Sequence, residues 1–261
     1  MIKKRIDGTD DQNFREISYV PTPLEKTASD KSKRYVIGKD DRVVWPSQAV
    51  FPGAAVGRVV LKNGAVCSGA LVGPRHVLTA RHCLDAPGPA MFQPGYDQGE
   101  KHGMGRITAT LNLEVPHHEG TECEWQNDWA VLVLDQRLGD KIGYFGVGLP
   151  DPSKFDQPLF THQAYPGDKN PAGERAYRET GTVIHSNSSL SCDNTGPLKS
   201  DTDTYYGQGG GPIWETGGGD DGFNIWGVLS RATRTEEWTY AGWASGLDMV
   251  RAVEDALERW A

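Results

Sequence analysis

Apolar residues in this chain come in short runs cut by turn signals. Val56-Gly57-Arg58-Val59-Val60-Leu61 and Ala65-Val66-Cys67 flank Asn63-Gly64, a dipeptide that tolerates the left-handed backbone of a tight hairpin. Ala70-Leu71-Val72 and His76-Val77-Leu78-Thr79 are separated by Gly73-Pro74, again strand, turn, strand. Trp129 to Leu134 is apolar throughout and of strand length, as expected of a strand buried on both faces. Phe223 to Leu229 is a second such run, entered from Gly217-Gly218-Gly219-Asp220-Asp221-Gly222. The two aspartates there could ligate Ca²⁺, but a hairpin tip accounts for them more simply. Only the end has helical spacing. Leu247, Val250, Val253, Leu257 and Trp260 recur after Ser245, a residue type that caps helix N-termini. Residues 1–34 are polar, mixed in charge and without a sustained period, so they read as a flexible N-terminal segment or propeptide ahead of a domain spanning 35–261.

Composition narrows the class. A chain of 261 residues accommodates one large all-β domain or two small barrels sharing a cleft, and 32 glycines with 16 prolines suit a turn-rich β-protein. The net charge of -8 argues against nucleic acid and against an anionic membrane, both of which favour basic partners. No apolar run approaches a membrane span. Met1-Ile2-Lys3-Lys4-Arg5 is basic but lacks the apolar core of a signal peptide. Cys67, Cys83, Cys123 and Cys192 allow three pairings, and two disulfides would imply an oxidising compartment. His117-His118-Glu119 with Cys123 could be read as a metal cluster, but adjacent histidines rarely reach one ion, so neither metal nor cofactor is expected.

Three segments carry the chemistry: Leu78-Thr79-Ala80-Arg81-His82-Cys83, Asn127-Asp128-Trp129-Ala130-Val131-Leu132 and Tyr206-Gly207-Gln208-Gly209-Gly210-Gly211-Pro212. Asp128 stands at the mouth of an apolar run, where an unpaired carboxylate is costly. Asp135 is its rival but follows the strand instead of preceding it. The three segments resemble the T-A-A-H-C, D-I-A-L and G-x-S-G-G-P motifs of chymotrypsin-like serine proteases, in that family's order of histidine, aspartate and nucleophile. Gly209 stands where the family has its serine. Val36-Ile37-Gly38-Lys39-Asp40-Asp41-Arg42 and Tyr165-Pro166-Gly167-Asp168-Lys169 resemble the mature start and an internal segment of the glutamyl endopeptidase branch.

The resemblance implies an all-β fold of two six-stranded antiparallel β-barrels with a C-terminal helix packed on the second barrel. It implies a secreted, monomeric serine endopeptidase acting on peptide or protein substrates. His82 would be the general base, Asp128 its orienting carboxylate, and the amides of Gly207 and Gly209 the oxyanion hole. Ser230 would support Asp128. Cys67 would pair with Cys83 behind the histidine, and Cys123 with Cys192 beside the cleft. Processing would fall between Arg34 and Tyr35, after the basic run Lys31-Ser32-Lys33-Arg34, leaving Tyr35 or Val36 near the substrate pocket.

That pocket would be built by Asp203, Thr204 and Leu229. Thr204 fits the hydroxyl that glutamyl endopeptidases aim at an acidic side chain, but Leu229 falls where they have a histidine. Asp203 has the spacing of the aspartate by which trypsins select basic residues, so the implied P1 preference is Arg/Lys or Glu. Gln208 replaces the aspartate that captures the new N-terminus in trypsins, so activation should not depend on an ion pair at that position. No other serine replaces the missing nucleophile: Ser68 belongs to the Cys67 strand, and Ser186, Ser188, Ser189 and Ser191 lie in a polar loop. Gly209 therefore has two readings, an enzyme whose serine has been replaced, or a natural pseudoprotease that binds without chemistry.

Overall fold

A computed structural model of the protein describes residues 15–18 (backbone only), 35–45, 49–85, 87–113, 121–169, 173–219, 222–234 and 239–261. Arg34, His117-His118-Glu119 and Asp220-Asp221 lie outside the described residues. The strands in chain order are β1 (Arg15–Ser18), β2 (Val43–Val44), β3 (Val56–Leu61), β4 (Val66–Leu71), β5 (His76–Ala80), β6 (Pro89–Pro94), β7 (Gly105–Asn112) and β8 (Trp129–Leu134), then β9 (Gly146–Val147), β10 (Phe160–Ala164), β11 (Tyr177–Thr182), β12 (Leu198–Ser200), β13 (Pro212–Glu215), β14 (Asn224–Arg234) and β15 (Thr239–Ala244).

Six of them close the first barrel. The antiparallel order β6-β3-β4-β5-β8 is completed by β7, which pairs with both β8 and β6. β5 and β8 lie in register from His76↔Val133 to Ala80↔Trp129, and every residue of both is buried. Their near-continuous apolar composition follows from burial on two faces. β1 adds a strand to β7, from Arg15↔Asn112 to Ser18↔Ala109.

The second sheet has the order β12-β15-β14-β13-β10-β11-β2, with β9 parallel to β14. It curls back on itself through the bridge Ile184↔Ser200, which joins the chain just past β11 to β12, so the second barrel is an open, rolled sheet and not a closed ladder. His185 N donates to Lys199 O at 2.9 Å beside that bridge. Its core is Phe160, Ile213, Trp226, Leu229 and Trp243, while Phe145 and Trp214, 5.1 Å apart between ring centroids, join the core of the first barrel.

Among the described residues three α-helices accompany the strands: α1 (Glu122–Gln126), α2 (Gly139–Ile142) and α3 (Leu247–Arg259). The first two escape a periodicity reading because each is little more than one turn. α1 holds together locally through a capping box, in which Thr121 and Glu124 each satisfy the other's backbone N–H. α3 matches the expected C-terminal helix but corrects two details. Gly246, not Ser245, is its N-cap, and Leu247 N donates to Thr195 Oγ1 at 3.2 Å, so the cap comes from a distant loop. Met249, Ala252, Val253 and Ala256 pack into the core of the first barrel, chiefly against β8, β5 and β7, where the second barrel was expected.

Both disulfides have the pairing implied by the resemblance, Cys67–Cys83 and Cys123–Cys192. The second ties α1 to the loop before β12 across a sequence separation of 69. A cross-link of that span removes loop-closure entropy from the unfolded chain, so Cys123→Ala/Cys192→Ala is expected to lower stability by about 2–4 kcal/mol. Urea unfolding with and without reductant checks this. A double variant as stable as the parent would mean that the bridge adds nothing.

Candidate active site

The end of β5 turns into a single 3₁₀ turn, Arg81–Leu84, which carries His82 out of the first barrel. Cys83, bridged to Cys67 of β4, anchors that turn from behind. Asp128 is the last residue before β8, and its carbonyl accepts from Arg81 N at 3.1 Å. The pairing of β5 with β8 therefore sets the two side chains side by side. Asp128 Oδ1 accepts from His82 N at 2.8 Å and Oδ2 lies 2.8 Å from His82 Nδ1. Ser230, on β14 of the second sheet, donates its hydroxyl to the same Oδ2 at 2.6 Å. A carboxylate only accepts here, so Nδ1 carries the proton and Nε2 is left with its lone pair.

Burial works against charge on both partners and is overcome on both. For His82 the hydrogen bond and the negative charge of Asp128 outweigh desolvation and hold the imidazole above its ordinary pKa. For Asp128 the bonds from His82 and Ser230, together with the imidazolium charge, outweigh desolvation and hold the carboxyl below its usual range. His82 keeps 41% of its side chain exposed against 12% for Asp128, so the pair is sealed on one side and open on the other.

Gly209 lies on that open side. A Cβ on Gly209 would lie 2.6 Å from His82 Nε2 and 3.1 Å from Cε1. Any side chain at 209 thus points at the free nitrogen of His82, which in turn has settled into the room a side chain would take. Gln208, Gly210 and Gly211 donate their amides to Tyr205, Leu229 and Gln208 carbonyls. Among the described residues the amides of Gly207 and Gly209 have no protein acceptor. Gly207 has φ +95°, and a Cβ there would meet Tyr165 O at 2.4 Å, so only glycine fits that turn. Buried Ser68 fixes the loop to the first barrel: its N–H donates to Gly209 O at 2.8 Å and its hydroxyl to Gly207 O at 2.9 Å.

The adjoining cleft, about 480 Å³, is lined in part by Tyr35, His82, Thr204, Gly209, Leu229 and Ser230. Asp203 is the exception among the pocket residues read from the sequence. It does not line the cleft. Its Oδ1 accepts from Ile37 N at 2.7 Å, and its backbone N–H donates to Glu179 Oε2 at 2.9 Å, so the buried carboxylate faces the N-terminal segment behind the cleft wall. Spacing alone could not reveal this, because the turn after β12 decides on which side of the wall the side chain falls. Tyr35 forms an antiparallel bridge with Thr204, with N–H···O distances of 3.1 and 2.8 Å, which places the first residue after Arg34 at the cleft itself.

Sequence reading missed what holds Gln208. Arg42, 5% exposed, donates to Gln208 Oε1 at 2.8 Å, to both oxygens of Asp168 at 3.1 and 2.7 Å, and to both oxygens of Asp40. Burial depresses His162 to about 4, so it is neutral. Its Nδ1–H donates to Pro212 O at 2.9 Å, which leaves Nε2 to accept from Gln208 Nε2 at 3.2 Å. Gln208 Nε2 also donates to Asp203 O. The position needs one acceptor and two donors, and an aspartate could not supply the donors. The signals available were the aspartates of Lys39-Asp40-Asp41-Arg42 and of Tyr165-Pro166-Gly167-Asp168. Neither pattern says that the arginine is buried. Burial also raises Glu179, to about 9, and the charges of Asp203, Asp41 and Asp201 push in the same direction.

Comparison with known proteins places these features in context. Residues 48–249 match the model of the family described as Trypsin. The glutamyl endopeptidase of Bacillus licheniformis is 27% identical over 269 aligned positions, which cover 100% of this chain and 79% of that protein. A Bacillus subtilis protein named extracellular metalloprotease is 26% identical over 204 positions, 74% of this chain and 61% of its own length. A solved Glu endopeptidase in complex with MPD superposes with a TM-score of 0.69 at 21% identity, covering 85% of this chain and 99% of its own. The human heparin binding protein does so with a TM-score of 0.62 at 15% identity, covering 85% and 97%. At these identities the structural likeness concerns the fold.

Two substitutions probe the network. Asp128→Asn removes the main contributions that raise His82 and leaves burial, which lowers it, opposed only by the charge of Asp85. Proton NMR titration is therefore expected to show His82 above about 6.5 in the parent and below that value in the variant; an unchanged titration would sever the coupling. Arg42→Met removes the guanidinium that binds half-buried Asp168 and buried Gln208, while Lys169 still holds Asp40 at 2.7 Å, and is expected to cost about 1–3 kcal/mol in urea unfolding, with Arg42→Lys recovering part of it. A loss below about 0.5 kcal/mol would place Arg42 among ordinary surface residues.

Proposed function

The chain belongs to the trypsin family, and from that membership we propose that it is the precursor of a secreted serine endopeptidase whose nucleophile position is occupied by Gly209. The observation that carries this reading is the intact relay of Ser230, Asp128 and His82, whose free Nε2 lies 2.6 Å from where the Cβ of residue 209 would stand. A structural β-domain would have no use for a half-exposed histidine backed by a buried carboxylate. With serine at 209, the hydroxyl proton passes to His82 Nε2 as Oγ bonds to the scissile carbonyl carbon, and Asp128 stabilises the imidazolium. The carbonyl oxygen takes the negative charge and is held by the amides of Gly207 and Gly209. His82 then returns its proton to the departing amine. In the chain as it stands, base, orienting carboxylate and oxyanion donors remain while the attacking atom is missing.

The pocket favours an acidic P1 residue over a basic one. Asp203 is turned away from the cleft, so a basic side chain would find no counter-ion there. Thr204 borders the cleft, and its hydroxyl, buried and without a protein partner among the described residues, would reach an acidic side chain by turning outward. A cut after Arg34 would create an α-ammonium on Tyr35, which borders the same cleft and would supply the positive charge that Leu229 cannot. The name of the Bacillus licheniformis relative agrees with this preference. Secretion accords with the two disulfides, and no helix among the described residues is long and apolar enough to cross a membrane.

A Gly209→Ser variant, assayed on peptides with Glu, Arg or Lys before the scissile bond, is expected to cleave after Glu and to exceed the unaltered chain by about a million-fold in kcat. Its activity should fall as pH drops through the raised pKa of His82, because the protonated ring cannot act as base. Cleavage after Arg or Lys would overturn the specificity. A folded variant that cuts nothing, even with residues 1–34 removed, would leave a pseudoprotease that binds without chemistry.

A further inference from the structure

Behind the cleft wall, three carboxylates from three separate segments converge. Asp41 comes from the N-terminal segment, Glu179 from β11 and Asp203 from the turn after β12, and one oxygen of each lies within 4.8 Å of the other two. Glu179 is 6% exposed and Asp203 1%, whereas Asp41 faces solvent. Asp203 Oδ2 is fully buried and has no hydrogen-bond partner. Among the described residues, neither Glu179 nor Asp203 forms an ion pair. The guanidinium of Arg42, whose charge acts on Asp203, is committed to Asp40, Asp168 and Gln208.

Two buried carboxylates beside a third, with one oxygen unmatched, form an arrangement that proteins complete with a cation. We infer that Asp41, Glu179 and Asp203 form a Ca²⁺ site that fastens the segment around Tyr35–Arg42 to the back of the cleft wall. The donor set is oxygen only, which suits a hard cation and disfavours zinc or copper. Three oxygens at most 4.8 Å apart can each lie within about 2.8 Å of a common centre, so a small inward movement of solvent-facing Asp41 brings all three to Ca²⁺ distance. The open side at Asp41 leaves room for water to complete the shell. The carboxylates are joined to the cleft through backbone: Asp203 precedes Thr204, and Ile37 N bonds Asp203 Oδ1 two residues after the Tyr35–Thr204 bridge. An ion here would hold in place the strand of chain that borders the substrate pocket. The site does not depend on a nucleophile at 209, so its test separates from that of the proposed activity.

The full chain, stripped with EDTA, is titrated with CaCl₂ by calorimetry and heated with and without Ca²⁺, with MgCl₂ as a parallel arm. One site with an upward Tm shift is expected for Ca²⁺, and a weaker response for Mg²⁺. Asp41→Asn, a change at an exposed position, should raise the Kd by about tenfold or more without unfolding the chain. Asp41→Lys, which supplies its own cation, should be folded and insensitive to Ca²⁺. A chain whose Tm and heats ignore Ca²⁺ would mean that the carboxylates share a proton instead. A response that survives Asp41→Asn and Glu179→Gln but vanishes in Asp220→Asn/Asp221→Asn would move the ion to the glycine-rich hairpin. Either result overturns the site.

Discussion

A carboxylate withdrawn from water must be paired, and the arrangement around the cleft follows from how Asp128 meets that requirement. Its oxygens take the backbone and ring N–H groups of His82 and the hydroxyl of Ser230. Two of those donors come from the turn after β5 and the third from β14, so satisfying one anion brings the two barrels together at one point. The same bonds fix the imidazole tautomer and aim Nε2 at residue 209. Geometry that reads as catalytic design is, one level down, the avoidance of an unpaired buried charge.

The opposite flank of the residue-209 loop repeats the logic with the signs reversed. Arg42 is a buried cation, and Asp40, Asp168 and the amide oxygen of Gln208 surround it. A glutamine there lets the loop be held by a cation from the N-terminal segment without itself carrying charge. The same segment contributes Tyr35 to the cleft wall and Ile37 to Asp203. Residues 35–42 are thus a structural part of the site and not merely its leading edge.

What the sequence made legible, and what it did not, divides along physical lines. The β5 and β8 runs, the histidine and aspartate segments and the glycine-rich loop were readable because local composition and order fix them. Both disulfide pairings followed from resemblance. The direction of Asp203 was not readable, since neighbours in a turn can fall on either side of a wall. Arg42 gave no signal, because burial of a charge depends on partners 126 and 166 residues away. The short helices α1 and α2 lie below the length at which periodicity shows. The seat of α3 was misassigned because an amphipathic stripe says that a helix packs, not on what.

Ser68 has a consequence in time as well as in space. It sits on β4 and grips the carbonyls of Gly207 and Gly209, across 139 residues of chain in the case of Gly207. His82 and Asp128 border the first barrel, whereas the loop that faces them lies far downstream and takes its shape against Ser68 of that barrel. Contacts of such long sequence separation form late. The cleft is therefore completed only when segments far apart in the chain have come together.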